Sequence, residues 1–371
     1  MWTFIFGFAI ILAVSGFLYL TSRVYRLLPV NKRLTPKYKK VLRKFVSVCA
    51  VLIGVLFFAA TLGYVNAAIV VIHLMAFWLI SDLVFYIVKK LAGKRMVRLS
   101  SCVAVVISFV YLTVGFMLAN NVWVTHYDVY TDKQVNNLRI VMFADSHVGT
   151  TFSGAEFEKY VRQMQNYNPD IVVIAGDYVD DDTSRQDMID ACKSLGTLKT
   201  TYGVYYAFGN HDKGYYDNSG RGYTGDDLVA ELTKNGVTVL TDKVENFGDF
   251  YVVGRNDKSE TERGGGRVDI SDLVSELDKN KYSIVINHQP TDYEKESAAK
   301  VDLVLSGHTH GGQMFPIGLI SDIFGLNDRV YGMEKRGDTD FIVTSGIADW
   351  AFKFKIGCVS EFVVIDVHGT E

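Results

Sequence analysis

The run Leu138-Arg139-Ile140-Val141-Met142-Phe143-Ala144-Asp145-Ser146-His147 decides how this chain is read. Its apolar and β-branched residues predict a strand over Leu138–Ala144, which ends in a loop carrying a carboxylate and an imidazole two positions apart. The arrangement recurs downstream. Strands expected at Asp170–Ala175, Gly203–Phe208, Tyr282–Asn287 and Asp302–Ser306 lead into four further loops. These are Gly176-Asp177-Tyr178-Val179-Asp180, Gly209-Asn210-His211-Asp212, Asn287-His288 and Gly307-His308-Thr309-His310-Gly311. Other strands are expected at Phe250–Gly254, Asp340–Thr344 and Glu361–Val367. Between them, Ala155–Asn166, Ser184–Thr197, Asp226–Asn235 and Ser271–Lys279 space apolar residues at three and four and end near Gly or Asn, which predicts helices. The alternation gives an α/β class with layered elements.

In such domains ligands gather outside the carboxyl ends of the strands, so the five loops are expected to converge on one site. Their donors are carboxylate oxygens, imidazole nitrogens and an amide oxygen, with no thiolate. That set suits borderline to hard divalent ions such as Mn, Fe or Zn. Two such ions roughly 3.5–4 Å apart can activate a water and clamp the attacking and leaving oxygens of an in-line displacement, provided one carboxylate bridges them. Taken singly, each motif has a plainer explanation, and a lone His288 would be read as a satisfied core histidine. The ordered set of five, each at a strand end, carries the inference.

Upstream of this domain the chain changes character. Four apolar segments near Trp2–Thr21, Phe45–Gly63, Asn66–Val88 and Leu99–Ala119 are long enough to cross a bilayer as helices. The first lacks the basic start and small-residue cleavage site of a signal peptide. Arg23, Arg26, Lys32, Arg33, Lys37, Lys39, Lys40, Arg43 and Lys44 follow the first segment, and Lys89, Lys90, Lys94, Arg95 and Arg98 follow the third. The turn at Tyr64 has no basic residue. Both basic loops are therefore expected in the cytoplasm, which puts the domain beyond the fourth segment outside the cell membrane. His73 and Asp82 fall within the third segment without an evident charged partner, so the segments read as an anchor rather than a transport path. The expected division is 1–120 membrane anchor, 121–137 extended linker and 138–371 catalytic domain.

The 371 residues carry a net charge of -3, which argues against a nucleic-acid partner. Cys49 and Cys102 lie in apolar segments. Cys192 and Cys358 stand far apart and read as ordinary buried thiols, although an exported domain would permit their pairing.

Read together, DxH, GDxxD, GNH[DE], a single His and GHxH resemble the calcineurin-like metallophosphoesterase superfamily over about Leu138–Val367. The form Ser306-Gly307-His308-Thr309-His310-Gly311-Gly312-Gln313 is similar to a bacterial membrane-associated subgroup that includes UDP-2,3-diacylglucosamine pyrophosphatases. The resemblance implies a layered β-sandwich flanked by helices and two divalent metal ions. By the same resemblance Asp145, His147 and His310 hold one ion, Asp177 bridges, and Asn210, His288 and His308 hold the other. His211 becomes the acid that protonates the leaving group, oriented by Asp180. A phosphoester substrate is implied, and a lipid-linked one is compatible with the anchor.

One departure bears on substrate class. Phosphoprotein phosphatases of the superfamily place Arg after GDxxD, whereas this chain has Asp181 and Asp182, which disfavour a dianionic monoester unless both simply face solvent. The loops Lys213–Asp227 and Arg255–Arg267 are placed to set specificity. Tyr215, Tyr216, Tyr223 and Arg221 stand either to meet a headgroup or to face solvent. Phe315–Leu319 and Ile323–Leu326 are read first as packed, with a lipid-facing rim as the alternative. A regulatory or sensory domain, without catalysis, is the competing functional class.

Overall fold

The computed structural model describes residues 2–29, 35–93, 97–216, 220–315 and 317–370. The loop residues Lys32, Arg33, Lys94 and Arg95 lie outside these. Two compact units emerge, one built on the N-terminal helices and one beginning at Met117.

The first unit contains α1 (Trp2–Leu27), α2 (Pro36–Leu62), α3 (Tyr64–Ala92) and α4 (Val97–Asn120). All four are long and apolar enough to cross a membrane. Each runs beyond the segment expected from the apolar run alone, because Lys and Arg stems extend a helix into the polar interface without breaking its hydrogen bonds. This corrects the reading of Asp82. Since α1 continues to Leu27, Arg23 lies on the helix rather than in a loop, and it pairs with Asp82 of α3. Tyr19 donates to Asp82 at 2.9 Å and Ser100 of α4 donates at 2.9 Å, so three helices satisfy one carboxylate. His73 is satisfied locally: its Nδ1 donates to the Ile69 carbonyl at 2.8 Å and its ring stacks on Tyr111.

The second unit holds two six-stranded sheets. One is formed by β1 (Val122–Gln134), β2 (Leu138–Phe143), β3 (Ile171–Ala175), β4 (Gly203–Ala207), β5 (Val237–Val239) and β12 (Ser360–Thr370), in the order β1-β12-β2-β3-β4-β5. The other contains β6 (Lys243–Asn246), β7 (Phe250–Gly254), β8 (Tyr282–Ile286), β9 (Leu303–Ser306), β10 (Gly332–Arg336) and β11 (Thr339–Val343), ordered β10-β11-β9-β8-β7-β6. Pairings are parallel except β12–β2, β6–β7 and β10–β11. All eight expected strands are present. The stretch read as an extended lead-in is itself a strand: β1 pairs with β12 in parallel from Val122–Ser360 to Tyr130–His368. Only Asn121 separates it from α4, and Ser360 donates to the Ala119 carbonyl at 2.7 Å.

Period-two alternation distributes the core. Ile140 and Met142 of β2, with Val173, Val252, Ile284, Leu305 and Ile365, fill the space between the sheets. Val141 and Phe143 point the other way, under α5 (Gly154–Gln165), α6 (Arg185–Leu195) and α7 (Gly225–Lys234). The opposite outer face packs on Ile270 and Tyr293. Helices there are short: α8 (Ser259–Glu262), α9 (Ile270–Leu273) and α10 (Tyr293–Ala298). The helix expected over Ser271–Lys279 stops at Leu273, where Ser275 Oγ takes the Asp272 carbonyl and competes with the helical ladder. The layered α/β sandwich expected from the sequence is present. Cys192 and Cys358 are free, buried thiols, as read.

Glu361 joins this frame to the loops above it. Fully buried, it accepts from Thr344 Oγ1 at 3.0 Å, Ser345 N at 3.2 Å and Tyr331 OH at 2.9 Å, and also from Thr125 of β1. Glu361→Ala would leave several buried donors without an acceptor, at about 1–3 kcal/mol each where no water enters. We expect its thermal unfolding midpoint in detergent to fall by several degrees or more, read by circular dichroism.

Candidate metal centre

The five loops converge. Asp145, His147 and His310 bring one potential ligand atom each within 4.8 Å of one another, as do Asp177, His288 and His308, and Asp180, Asp181 and His211. Backbone pairing fixes the loops first. Asp145 N donates to the Gly176 carbonyl at 3.0 Å, His147 N to Asp177 O at 3.1 Å, and Gly307 N to His288 O at 2.9 Å. Five of the residues expected as ligands have left-handed backbone: Asp145, His147, Asp177, His308 and His310, with φ from 35° to 71°. For residues other than glycine such angles carry strain and need a surrounding structure that enforces them.

Two of the imidazoles are oriented at Nδ1 by backbone carbonyls, an arrangement that suits metal ligation. Nδ1 of His288 lies 2.7 Å from the Ala175 carbonyl, and Nδ1 of His310 lies 3.2 Å from that of Ala348. A carbonyl only accepts, so each Nδ1 carries a proton, and in the neutral ring Nε2 then offers its lone pair. Nδ1 of His147 lies 3.1 Å from an Asp180 oxygen. The Nε2 atoms face carboxylates: His288 to Asp177 at 3.2 Å, His147 to Asp177 at 3.8 Å and His310 to Asp145 at 3.9 Å. Asn210 Nδ2 donates to Tyr216 OH at 3.3 Å, which turns its Oδ1 inward. Nε2 of His147 and Oδ1 of Asn210 are buried without a hydrogen-bond partner, and Nε2 of His288 meets only the Asp177 carboxylate. Buried polar atoms are seldom left so in folded proteins, and borderline divalent cations fit this donor set.

Residues 138–312 match the family model for calcineurin-like phosphoesterases. The chain carries a calcineurin-like phosphoesterase domain. An uncharacterized metallophosphoesterase of Campylobacter jejuni is 29% identical over 245 residues, covering 65% of this chain and 62% of its own length. A transmembrane protein with metallophosphoesterase domain from Danio rerio is 26% identical, covering 63% and 54%. Its namesake from Bos taurus is 25% identical, covering 74% and 64%. The chain thus spans less than two thirds of the length of each of these relatives.

Within the calcineurin-like domain the third cluster surrounds His211. Its Nδ1 lies 2.9 Å from Asp181 Oδ2 and 3.2 Å from Asp180 Oδ1, while its backbone N donates to Asp177 Oδ1 at 2.9 Å. Burial alone would push this imidazole down, but the Asp177 field and the hydrogen bonds to Asp180 and Asp181 carry it up to about 11. Burial works against the Asp177 carboxylate as well, yet His288 and His211 hold it well below the usual range. His308 is lowered to about 4 by burial and by neighbouring His288. His288, despite its burial, rises to about 10 beside Asp177. A cation seated on Asp177 would offset the field that raises both His211 and His288.

Several contributors escape a motif search. Asp181 is buried and bonded to His211 and to Tyr216 N, so only Asp182 of the acidic pair faces solvent. Asp212 Oδ2 accepts from Asp177 N at 2.9 Å and Gly209 N at 2.6 Å, and its Oδ1 from Val179 N at 3.1 Å. That carboxylate binds the β3 and β4 loops together, and its place in the GNHD run was its only signal. Arg221, expected on a solvated loop or a headgroup, is fully buried and donates to the carbonyls of His211 and Asp212. Tyr223 is buried beneath it. The aromatic rim is instead Tyr216, 4.8 Å from His211 between ring centres, and Trp350 at 6.3 Å. Arg263 lies over Tyr215 and Tyr216 at 4.2 Å and 5.2 Å. Glu260 joins the two variable loops by accepting from Tyr215 OH at 2.7 Å and pairing with Lys213 at 3.0 Å.

Gly209 permits the closest approach in this region: a Cβ there would stand 2.2 Å from Asp177 Oδ1 and 2.4 Å from Asp177 N. Gly209→Ala therefore displaces Asp177 without deleting any donor. We expect a lower unfolding midpoint, and, by calorimetric titration with Mn, weaker uptake than the parent chain shows.

Proposed function

We propose that this chain is a membrane-anchored hydrolase that cleaves a phosphodiester or pyrophosphate bond at a dinuclear metal centre. Its natural substrate would be a lipid-linked or envelope phosphoester. The observation that carries this reading is the grouping of Asp145, His147 and His310 and of Asp177, His288 and His308, with the buried Nε2 of His147 and Oδ1 of Asn210 left open. Two divalent ions on these donors would activate a water and balance the charge that develops on the phosphoryl oxygens.

The protein's own groups supply the remainder. Asp180 and Asp181 hold the His211 ring through Nδ1, so Nε2 is the nitrogen available to hand a proton to the leaving oxygen. Tyr216 packs on that ring and fixes the Asn210 amide, so one residue positions both the acid and a ligand. Asp181 places a buried carboxylate beside the acid. Such a charge disfavours a dianionic monoester relative to a diester or a pyrophosphate flanked by organic groups. The Ser306–Gln313 form, which resembles the UDP-2,3-diacylglucosamine pyrophosphatase subgroup, supports the pyrophosphate branch.

Orientation follows from charge. Arg26, Lys37, Lys39 and Lys40 flank the α1–α2 connection, and Lys89, Lys90 and Arg98 the α3–α4 connection, whereas Gly63 alone joins α2 to α3. Basic loops stay in the cytoplasm, so the catalytic domain is assigned to the extracytoplasmic side.

The test is hydrolysis by metal-stripped full-length protein refilled with Mn, using bis-p-nitrophenyl phosphate, p-nitrophenyl phosphate and a UDP-linked diacyl glycolipid. Metal should restore diester or pyrophosphate cleavage well above monoester cleavage, with about two ions bound per chain. His211→Ala should lower kcat by about 10²–10⁴-fold while leaving metal content near the parent value. Asn210→Ala should lower both activity and metal content. A chain that binds no stoichiometric metal and cleaves none of the three would instead be a regulatory domain.

Asp181→Asn separates orientation from charge. It keeps a hydrogen-bond acceptor near Nδ1 but removes a carboxylate, so we expect diester kcat to fall by roughly tenfold and the discrimination against monoester to narrow. Unchanged discrimination would show that Asp181 plays no part in selecting the substrate.

A further inference from the structure

We infer that Phe315 and helix α11 (Ile317–Phe324) form a lipid-inserting face, which seats the phosphoesterase domain on a bilayer surface. Five of the eight residues of α11 are apolar: Ile317, Leu319, Ile320, Ile323 and Phe324. None of the eight is buried. Phe315 is 63% exposed, Ile323 69% and Phe324 72%, and Leu326 extends the surface past the helix end. Of the residues read first as packed, Phe315, Ile317, Leu319, Ile323, Phe324 and Leu326 are instead exposed. A contiguous apolar surface of this kind marks an interaction site, whereas scattered single residues would not.

The chain itself names the occupant. It carries four helices able to cross a membrane, and only Asn121 stands between α4 and the first strand of the domain. A domain so tethered meets lipid at a far higher effective concentration than any dissolved partner. Helical spacing puts Ile317, Leu319, Ile320, Ile323 and Phe324 on one side of α11 and Gly318, Ser321 and Asp322 on the other, so the apolar side forms a single stripe.

The face is mechanically continuous with the metal loop. Gly312, two residues after His310, has φ 74°, and a Cβ on it would stand 2.4 Å from Gly318 Cα. Helix and loop therefore touch backbone to backbone. Between them lies a cavity of about 280 Å³ lined by Gly311, Met314, Leu319, Arg329, Val330 and Ile356. Its lining also includes Asp322, so insertion of α11 would bring a mixed polar and apolar space, next to the ligand loop, up to the membrane surface. The consequence for substrate choice rests on the hydrolase reading given above, while the insertion itself does not.

The experiment uses the full chain in nanodiscs of phosphatidylcholine and phosphatidylglycerol, with a benzophenone side chain placed at Phe324 and, as a control, at exposed Lys243 of β6. Irradiation should give lipid adducts from the first position and not the second, read by intact-protein mass spectrometry. Cross-links from Phe324 to a second copy of the chain, or no lipid adduct, would overturn the inference. In a second arm Ile323→Asp and Phe324→Asp should each lower turnover of the vesicle-embedded UDP-linked glycolipid by roughly tenfold, the scale expected for withdrawing one large apolar side chain from lipid. Their turnover of soluble bis-p-nitrophenyl phosphate should match the parent chain. Equal loss on both substrates, or none on either, would count against the lipid face. Lipid adducts from a chain that hydrolyses nothing would uphold the face and sink only the hydrolase reading.

Discussion

Asp177 is the residue on which the other loops depend. Its amide is held by Asp212, one of its oxygens receives the His211 amide, and the other faces the imidazoles of His288 and His147. Loops from four strands in two different sheets are thereby referred to a single carboxylate. The arrangement is possible because β2, β3, β4 and β8 lie in parallel-paired regions and deliver their carboxyl ends to the same edge of the sandwich. Gly176 and Gly209 complete it, since any side chain at either would occupy the space the neighbouring loop requires. Sheet topology therefore comes before chemistry here: it decides which residues meet, and the polar network then decides their angles.

Much of this was legible in the sequence because strand periodicity and loop composition agree. Leu138–Phe143 alternates inward and outward residues and then ends in Asp145 and His147, so one stretch reports both an element and a site. What escaped notice follows from the same physics. The strand β1 looked like a tether because His126, Asp128 and Asp132 dilute its apolar residues, and only pairing along the whole length of β12 gives it order. Asp181 and Arg221 look like surface residues by type, yet tertiary hydrogen bonds compensate their burial. The His211 ring lies thirty residues from Asp181, and the two carbonyls that hold Arg221 are backbone groups that no residue type announces. The reverse holds at Phe315–Leu319 and Ile323–Leu326, read first as packed, where Phe315, Ile317, Leu319, Ile323, Phe324 and Leu326 are exposed.

The helical unit shows a similar limit. Asp82 seemed alone because the first apolar run stops before Arg23, whereas the helix does not. A helix in an apolar medium continues until its backbone hydrogen bonds can be taken over by water, and that point is not marked by the first charged residue. Pairing Arg23 with Asp82, and adding donors from Tyr19 and Ser100, turns a costly isolated charge into a junction of α1, α3 and α4. Such a junction specifies the helix arrangement and requires no transport role.

The left-handed backbone at Asp145, His147, Asp177, His308 and His310 has an implication for how this domain matures. In small metal-dependent folds the ion organises a chain that is otherwise unfolded. Here the unusual torsions are imposed by strands, glycine contacts and the Asp212 and Glu361 networks, all of which involve protein groups alone. Contacts such as the Asp212 carboxylate on the Asp177 and Gly209 amides, and the close approach of Gly209 to Asp177, hold these loops without using the open donor atoms, so a change at Asp212 or Gly209 alters loop angles before it alters any donor.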